Sequence, residues 1–283
     1  MKNKKRLFLF AGYDANGIID DAIIYYAEQL NKFGDIILCM DCDAKKIEID
    51  KIKKYCITVM AARHGEYDFG SYKRAYIFAR DKDILKNYDE IYLVNDSVFG
   101  PTMNMKSTFD KMESTKYDAT GLVVSKHRTH SYMESWFVRL NRKIATSKWF
   151  NEFITSVVKL PSKNAITMKY EHGLSNIISQ NNCSWNGVYE IYGRYTYNHP
   201  KKLFNRGCPF IKRASFIRHN GAAGAQIKYI LNHANADAKH AILNTANSIY
   251  GAEHMNWLLT SNPFKIWVRK LKYARHKIIG DKK

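Results

Sequence analysis

Long apolar runs are missing from this sequence, and their absence excludes a membrane-spanning helix. No run reaches the ~18 residues that cross a bilayer, because the longest candidate, near residues 22–30, is interrupted by Glu28 and Gln29. A secretory signal needs ~7–15 consecutive apolar residues, whereas the basic N-terminus is followed only by the short run Leu7–Ala11. We therefore predict a cytoplasmic chain that does not span the membrane.

Cysteine is scarce as well, and its pattern argues against a disulfide framework. The five cysteines are an odd number with irregular spacing, which is not typical of paired disulfides. Cys39 and Cys42 have the CxxC spacing of some zinc and redox sites, but no second pair accompanies them. The sequence therefore favours reduced thiols without a metal role.

Acidic residues are few relative to basic ones. The chain of 283 residues has 45 Lys and Arg against 26 Asp and Glu, giving a formal net charge of +19. Such a charge attracts polyanions. Composition alone leaves three partner classes open, namely nucleic acid, an anionic membrane surface and phosphorylated substrates.

Up to about residue 125, apolar runs alternate with helical patterns. We predict strands and helices at Leu7–Ala11, Ile18–Phe33, Ile36–Met40, Ile57–Ala61, Ser71–Leu85, Ile91–Val94 and Ala119–Val124. This alternation is typical of an α/β fold with an open, mainly parallel sheet and flanking helices. Ligands of such sheets bind beyond the carboxyl ends of the strands. The residues of interest therefore follow the strands, at 12–14, 41, 63–73, 95–97 and 125–130.

The second half of the chain has a different pattern. We predict helices over 131–180, loops with short strands over 183–225, and helices again over 226–283. An aromatic and aliphatic stripe in the first of these segments is expected to lie in the core. It consists of Trp136, Phe137, Leu140, Ile144, Trp149, Phe150, Phe153 and Ile154.

The C-terminal tail, Asn262–Lys283, has an amphipathic pattern. One helical side carries Phe264, Trp267, Val268, Leu271, Ala274, Ile278 and Ile279. Around it lie Lys265, Arg269, Lys270, Lys272, Arg275 and Lys277. A basic amphipathic helix with an aromatic anchor fits the headgroup region of an anionic membrane. A solvated helix packed on its own domain is the alternative.

Two segments carry candidate site residues. Asp96, in Asn95-Asp96-Ser97, follows a predicted strand, and a carboxylate there can hold a divalent cation together with substrate phosphates. An isolated Asp in a turn is more often a capping residue. In Tyr67–Arg74, Asp68 or Ser71 is expected either to cap the next helix or to belong to a loop that binds phosphates at the helix N-terminus.

Several motifs together resemble the rhamnan synthesis protein F family of bacterial glycosyltransferases. They occur in the family's order over residues 5–220, and the block at 95–101 is the most specific. The matching segments are Tyr67–Lys73, Tyr88–Pro101, His130-Ser131-Tyr132, Phe150-x-x-Phe153, Tyr170-Glu171-x-Gly173-Leu174-Ser175 and Gly207–Arg213.

The resemblance implies a GT-A-type fold and sugar transfer from a nucleotide donor. The expected donor is dTDP-L-rhamnose, and the expected acceptor is a growing cell-surface polysaccharide, such as a capsule or lipopolysaccharide, on a lipid carrier. The protein would then lie peripherally at the inner face of the cell membrane. It would have a transferase domain over 1–225, with a donor half to about 125 and an acceptor half from 126, followed by a helical region over 226–283.

The chain departs from the family pattern at positions that are expected to recognise the donor nucleotide or sugar. Arg63-His64-Gly65-Glu66 lacks the Asn of the usual lead-in, and Asp41 stands where Asn is common. A UDP- or GDP-sugar donor therefore stays open. So does a non-catalytic protein that binds nucleic acid or another polyanion, although no recognisable nucleic-acid motif is present.

The resemblance also implies roles for individual residues. The donor nucleotide would contact Gly12, Tyr13, Asp41, Asp68, Gly70, Lys73, Asn95, Asp96 and Ser97. Among these, Tyr13 and Asp41 would hold the base and ribose, and Asp96 would bind Mg²⁺ or Mn²⁺ across the diphosphate. Glu171 is the candidate general base, with His130 and His172 as alternatives.

Overall fold

The computed structural model of the chain describes residues 4–128, 130–269 and 271. The strands are β1 (Arg6–Gly12), β2 (Asp35–Met40), β3 (Thr58–Ala61), β4 (Glu90–Asn95), β5 (Val98–Phe99), β6 (Ala119–Lys126), β7 (Ser131–Met133), β8 (Phe137–Asn141), β9 (Trp185–Tyr192) and β10 (Ile211–Lys212). The α-helices are α1 (Asp21–Asn31), α2 (Lys46–Ile52), α3 (Tyr67–Asp81), α4 (Lys106–Glu113), α5 (Arg142–Ala145), α6 (Lys148–Thr155), α7 (Lys163–Ile166), α8 (His172–Gln180), α9 (Tyr195–Asn198), α10 (Pro200–Asn205), α11 (Gly224–His233), α12 (Ala236–Tyr250) and α13 (Ala252–Leu258).

The chain divides into two compact units. Residues 4–96 and 109–193 form the first, which we call the sheet unit, and residues 97–108 and 194–271 form the C-terminal unit. The predicted domain boundary after residue 225 is a different division of the chain, and it stays a prediction.

An eight-stranded sheet organises the sheet unit. Its order is β3-β2-β1-β4-β8-β6, with β7 on the same edge of β6 as β8 and β9 on the other edge. β1 pairs in parallel with β2 and β4, β2 with β3, and β6 with β9, whereas β7 and β8 pair antiparallel. This arrangement confirms the predicted α/β fold with an open, mainly parallel sheet.

The predicted elements of the first half are confirmed, with shifted helix ends. α1 begins at Asp21 because the side chain of Asp20 accepts a hydrogen bond from the Ile23 amide at 2.8 Å and caps the helix. The central strands are apolar throughout, and Leu7–Ala11 is fully buried. Continuous apolar runs are typical of parallel strands that are covered on both faces.

The prediction of helix over 131–180 is wrong in its first part. Trp136, Phe137 and Leu140 do not lie on a helix, because β8 occupies this segment and runs between β4 and β6. Residues 137–140 are all buried, so the strand lacks the alternation that distinguishes it from a buried helix. The helical prediction is confirmed further along, where α6 carries buried Phe150 and Ile154.

β9 was expected only as one of several short strands in a loop region. It is instead an eight-residue strand that pairs with β6 over most of its length. Its Asn186 and Gly187 concealed it, because Asn and Gly are typical of turns. The C-terminal unit contains the predicted helices α11 to α13, together with the antiparallel pair of β5 and β10.

The tail is helical over residues 263–269, which we call the tail helix. Arg269 was predicted as one of the basic residues that lie around the apolar side of this helix, and the structure places it differently from an exposed cation. Its guanidinium is buried and donates to the backbone oxygens of Trp257, at 3.0 Å, and Leu258. The other predicted tail residues Lys270, Lys272, Ala274, Arg275, Lys277, Ile278 and Ile279 lie outside the described residues.

Across the part of the chain that the structure describes, no helix combines the length and the apolar character that a bilayer span needs.

The pairing of β6 with β9 depends on a glycine. A Cβ atom at Gly187 would lie 2.6 Å from Val124 Cγ2 and 2.9 Å from Val124 Cβ. We expect Gly187→Ala to lower the free energy of unfolding by about 1–3 kcal/mol, because the strand must shift to accommodate the methyl group. Denaturant unfolding of the variant measures this loss.

Gly173→Ala is the matched control, since a Cβ there would meet only Phe153 Cε2 at an ordinary 3.6 Å. Alanine is also favoured over glycine inside a helix by roughly 0.5–1 kcal/mol. We therefore expect this variant to be as stable as the parent or more so. Equal stability of Gly187→Ala and the parent would contradict the argument.

Candidate active site

The ends of three neighbouring strands meet at one edge of the sheet. After β1 and β4, the Asp96 Oδ2 accepts a hydrogen bond from the Tyr13 amide at 3.1 Å. After β2, the Asp41 amide donates to the Gly12 oxygen at 2.8 Å. Parallel pairing of β1 with β2 and β4 thus brings together Tyr13, Asp41 and Asp96, which the sequence analysis predicted separately.

The carboxylate of Asp41 holds the loop that follows β3. Its Oδ1 accepts hydrogen bonds from the amides of His64 at 2.7 Å and Gly65 at 3.0 Å. In the same loop, the Arg63 guanidinium lies 5.2 Å from the centroid of the Tyr13 ring. The segment that departs from the family pattern therefore contacts two candidate donor-binding residues, and sequence reasoning missed the roles of Arg63 and His64.

His64 is a buried, neutral imidazole. Its Nε2 lies 3.0 Å from the Ser71 Oγ, and its Nδ1 accepts from the Glu66 amide at 3.1 Å. Burial, and after it the positive charge of Arg74, lower the pKa of His64 below its usual value. Since Nδ1 accepts, the proton of the neutral ring lies on Nε2 and points to Ser71.

Neither Asp68 nor Ser71 caps α3, whose N-cap residue is Glu66 without a side-chain capping bond. The Asp68 Oδ2 instead accepts from the Asn95 amide group at 3.0 Å, which joins the start of α3 to the end of β4. Gly70 is required by packing, because a Cβ there would lie 2.3 Å from Glu66 Cβ. Two of the sequence motifs, at 67–73 and 88–101, thus meet through Asp68 and Asn95.

Lys73 lies in a network of its own. Its Nζ is 2.9 Å from the Glu66 carboxylate and donates to the Val157 oxygen at 2.6 Å. Arg74 contacts the same carboxylate at 2.7 Å. The predicted contact of Lys73 with phosphates stays a prediction, and a phosphate there would compete with Glu66 for the ammonium group.

Glu171 is held in place by Ser135, which lies 36 residues earlier in the chain. Its Oε1 accepts from the Ser135 amide at 2.7 Å and from the Ser135 hydroxyl at 2.8 Å. The buried Tyr72 hydroxyl donates to the Ser135 oxygen at 2.9 Å. Burial, and next the charge of Asp68, raise the pKa of Tyr72 well above its usual value, so this hydroxyl keeps its proton.

The connector between β7 and β8, residues 134–136, is hydrogen-bonded to the end of β4. The Asn95 amide donates to the Trp136 oxygen at 3.2 Å, and Trp136 Nε1 donates to the Glu134 Oε2 at 2.6 Å. Glu134 is buried and also accepts from the Ser125 hydroxyl at 3.3 Å. Sequence reasoning missed Glu134 and Ser135, and the available signal was two polar residues inside an apolar segment.

His130 and His172 lie close together in a cluster of stacked rings. Their ring centroids are 5.2 Å apart, and the His172 ring stacks on Tyr132 at 3.8 Å. His127 stacks on His130 at 4.8 Å. Burial, and next the charges of His130 and His127, lower the pKa of His172. The structure therefore places the two alternative bases side by side, and one of them, His172, directly follows Glu171 in the chain.

Asp96 offers a hard oxygen ligand of the kind that Mg²⁺ and Mn²⁺ prefer. Within residues 4–128, 130–269 and 271, no group of three or more His, Cys, Asp or Glu side chains could hold a metal ion. A cation here would take one carboxylate and complete its shell with phosphates and water, as Mg²⁺ commonly does.

Ser97, the last of the predicted donor-binding residues, belongs to the C-terminal unit. Its hydroxyl accepts a hydrogen bond from Lys212 Nζ at 3.1 Å.

Comparison with known proteins gives one family and a distant structural likeness. A family model described as rhamnan synthesis protein F matches residues 36–279. No curated protein matches the chain. Among solved structures, the chain resembles a protein from Desulfovibrio desulfuricans that is named as a nucleotide-diphospho-sugar transferase, with 15% identity over 77% of this chain and 91% of that chain, and a TM-score of 0.37.

The neutral state of His64 predicts a pH dependence of stability. Its folded pKa is lowered, so the unfolded chain binds a proton more readily once the pH falls below about 6.5. The free energy of unfolding should therefore fall below this pH, and His64→Gln should flatten the fall. The variant should also lose about 1–2 kcal/mol at neutral pH, because two hydrogen bonds are disturbed.

Chemical unfolding between neutral and mildly acidic pH measures both effects. His240→Gln is the control, because His240 is exposed and its Nε2 lies 2.9 Å from the Asn244 Nδ2. A pH profile of His64→Gln that runs parallel to that of the parent would contradict the assignment.

Proposed function

The chain belongs to the rhamnan synthesis protein F family, which supports a glycosyltransferase, and we propose that it transfers a sugar from a nucleotide donor to a growing cell-surface polysaccharide on a lipid carrier. The best donor candidate is dTDP-L-rhamnose, and a UDP- or GDP-sugar is the alternative. The observation that carries the proposal is the meeting of Tyr13, Asp41 and Asp96 at the carboxyl ends of β1, β2 and β4. Open α/β sheets bind ligands at this edge.

The donor would bind with its base and ribose near Tyr13 and Asp41. Tyr13 is 52% exposed, so its ring is accessible for stacking on a base. Arg63 lies on the Tyr13 ring and donates to the Asp14 oxygen at 3.2 Å, which fixes the ring's orientation. Both Asp41 oxygens accept from the Gly65 amide, so Asp41 would act mainly by holding this loop in place.

Asp96 is the residue that would hold Mg²⁺ or Mn²⁺. When bound, such a cation neutralises charge on the leaving nucleoside diphosphate. The hydrogen bond from Tyr13 to Oδ2 keeps the Asp96 carboxylate directed toward the strand ends. Asn95 and Asp68 would support the same region from the end of β4 and the start of α3.

Glu171 would take the proton of the acceptor hydroxyl in an inverting transfer. Ser135 holds Oε1 with two hydrogen bonds, whereas Oε2 accepts none from the described residues. One oxygen is therefore fixed and the other is left to act as the base. As the proton moves to Glu171, the acceptor oxygen bonds to the anomeric carbon and the bond to the diphosphate breaks.

The donor half of the proposal predicts a metal-dependent affinity for one nucleotide. Titration of the protein with dTDP, UDP and GDP, each with Mn²⁺ and with EDTA, should show one preferred diphosphate. Asp96→Asn should weaken its binding by about 10–100-fold, because a charged contact is lost. The exposed Asp81, changed to Asn, is the control.

Each outcome of this titration decides one part of the proposal. Binding of dTDP that ignores EDTA and Asp96→Asn would exclude the metal but keep the donor. Absence of nucleotide binding under every condition would contradict the transferase and favour the alternative, a non-catalytic polyanion-binding protein.

The acceptor half predicts a loss of turnover without a loss of donor binding. Glu171→Gln should lower kcat by about 10²–10⁴-fold, the usual contribution of a general base, and leave nucleotide affinity unchanged. Glu152→Gln, on the exposed side of α6, should have no effect. If His172→Gln or His130→Gln abolishes turnover while Glu171→Gln does not, the histidine is the base instead.

A further inference from the structure

Positive charge is strongly concentrated after residue 193. Residues 194–283 contain 17 of the 45 basic residues but only three of the 26 acidic ones. Between Glu190 and Asp237 there is no acidic residue at all, although this stretch contains eight Lys and Arg. The remaining 193 residues are close to balance, with 28 basic and 23 acidic side chains. Most of the excess charge of the chain, 14 of the 19 positive charges, thus lies after residue 193.

Lysines of the acid-free stretch lie against aromatic rings. Lys201 Nζ is 3.8 Å from the centroid of the Tyr229 ring, and Lys202 Nζ is 6.0 Å from that of Tyr195. A ring attracts an ammonium group without neutralising it. These contacts therefore orient the lysines of α10 and leave their full charge for an anionic partner.

The tail helix is packed against α11 and α13 of the same unit. Lys228 of α11 donates to the Ser261 hydroxyl, just before the tail helix. Arg269 donates to the Trp257 and Leu258 oxygens of α13. A Cβ at Gly224, the first residue of α11, would lie only 2.7 Å from the Arg269 Nη1. The tail helix is thus anchored by its buried arginine to α11 and α13.

The anchored tail helix leaves large apolar side chains in solvent. Phe264 is 69% exposed, Trp267 56% and Leu271 47%. Their spacing of three and four residues places them on one side of the helix. With Arg269 fixed inward, this side is presented outward rather than buried in the unit.

We propose that α10, α11 and the tail helix form one surface that binds an anionic membrane. Lys201, Lys202 and Lys228 supply the attraction to lipid headgroups, and the exposed tail side chains enter the interface. Membrane attachment would then depend on the acid-free stretch as well as on the tail. This step goes beyond the proposed sugar transfer and does not depend on which donor is used.

The exposed apolar side chains favour a membrane over a soluble polyanion. Aliphatic Leu271 and aromatic Phe264 and Trp267 gain by transfer into the headgroup and acyl boundary. A soluble acidic polymer has no apolar phase for them. Trp267 also belongs to the residue type that concentrates at membrane interfaces.

Vesicle sedimentation with the full chain tests the lysines. The vesicles contain equal parts of phosphatidylglycerol and phosphatidylcholine, and pure phosphatidylcholine serves as the neutral reference. Each lysine near an anionic surface contributes about a fivefold factor in binding. The triple variant Lys201→Gln, Lys202→Gln, Lys228→Gln should therefore lose about 100-fold in partitioning.

Two control variants separate charge from folding. The three lysines changed to Arg should bind like the parent. Lys45, Lys46 and Lys54 of the sheet unit, changed to Gln, remove equal charge, and Lys54 Nζ lies 4.8 Å from the Tyr55 ring as a matched aromatic contact. Unchanged binding of the first triple variant, or an equal loss in this second one, would overturn the proposal.

Tryptophan fluorescence tests the apolar part. Anionic vesicles should shift the emission of the parent to shorter wavelength, and Trp267→Ala should remove most of the shift and weaken binding.

A soluble polyanion is the second test. Dextran sulfate should bind more weakly than the vesicles at equal charge concentration. Tighter binding of dextran sulfate, insensitive to Trp267→Ala, would replace the membrane by a soluble polyanion. Nucleotide binding should be unchanged in all these variants, so failure here does not bear on sugar transfer.

Discussion

The backbone N–H groups just beyond the strand ends determine how the acidic side chains of the candidate site are oriented. An N–H group without a strand partner must find another acceptor when it is buried. Three carboxylates satisfy this need, since Asp96 accepts from Tyr13, Asp41 from His64 and Gly65, and Glu171 from Ser135. The same acidic residues are the ones proposed to act in sugar transfer. Their structural task explains why each is held in one orientation.

The three carboxylates differ in how much of each is left for chemistry. Both oxygens of Asp41 accept backbone hydrogen bonds, which favours an indirect role through the loop it holds. Glu171 has one oxygen bound by Ser135, and Tyr72 fixes Ser135 in turn. Because Tyr72 keeps its proton, this support does not change with pH over the neutral range. The geometry thus favours Glu171 over Asp41 as the group that moves a proton.

The features predicted correctly from the sequence are those that depend on residues close together in the chain. The strands before Tyr13, Asp41 and Asp96 were recognisable because each is a continuous apolar run that ends in polar residues. β8 was not recognisable, since burial on both faces removes its alternation. The partners of site residues were missed for another reason. Ser135 and Glu171 are 36 residues apart, and Arg63 and Tyr13 meet only because parallel pairing aligns distant strand ends.

Charge has opposite uses in the two units. In the sheet unit, Lys73 and Arg74 both contact Glu66, and Arg6 is bound to Glu113, so these cations are largely committed to partners within the fold. In the C-terminal unit, acidic residues are too few to pair with the cations. Surface cations without acidic neighbours repel one another and destabilise a compact unit. An anionic surface that contacts them removes this repulsion, so its binding should stabilise the C-terminal unit. Added salt should weaken this binding because it screens the attraction, and it should stabilise the unbound unit because it screens the repulsion.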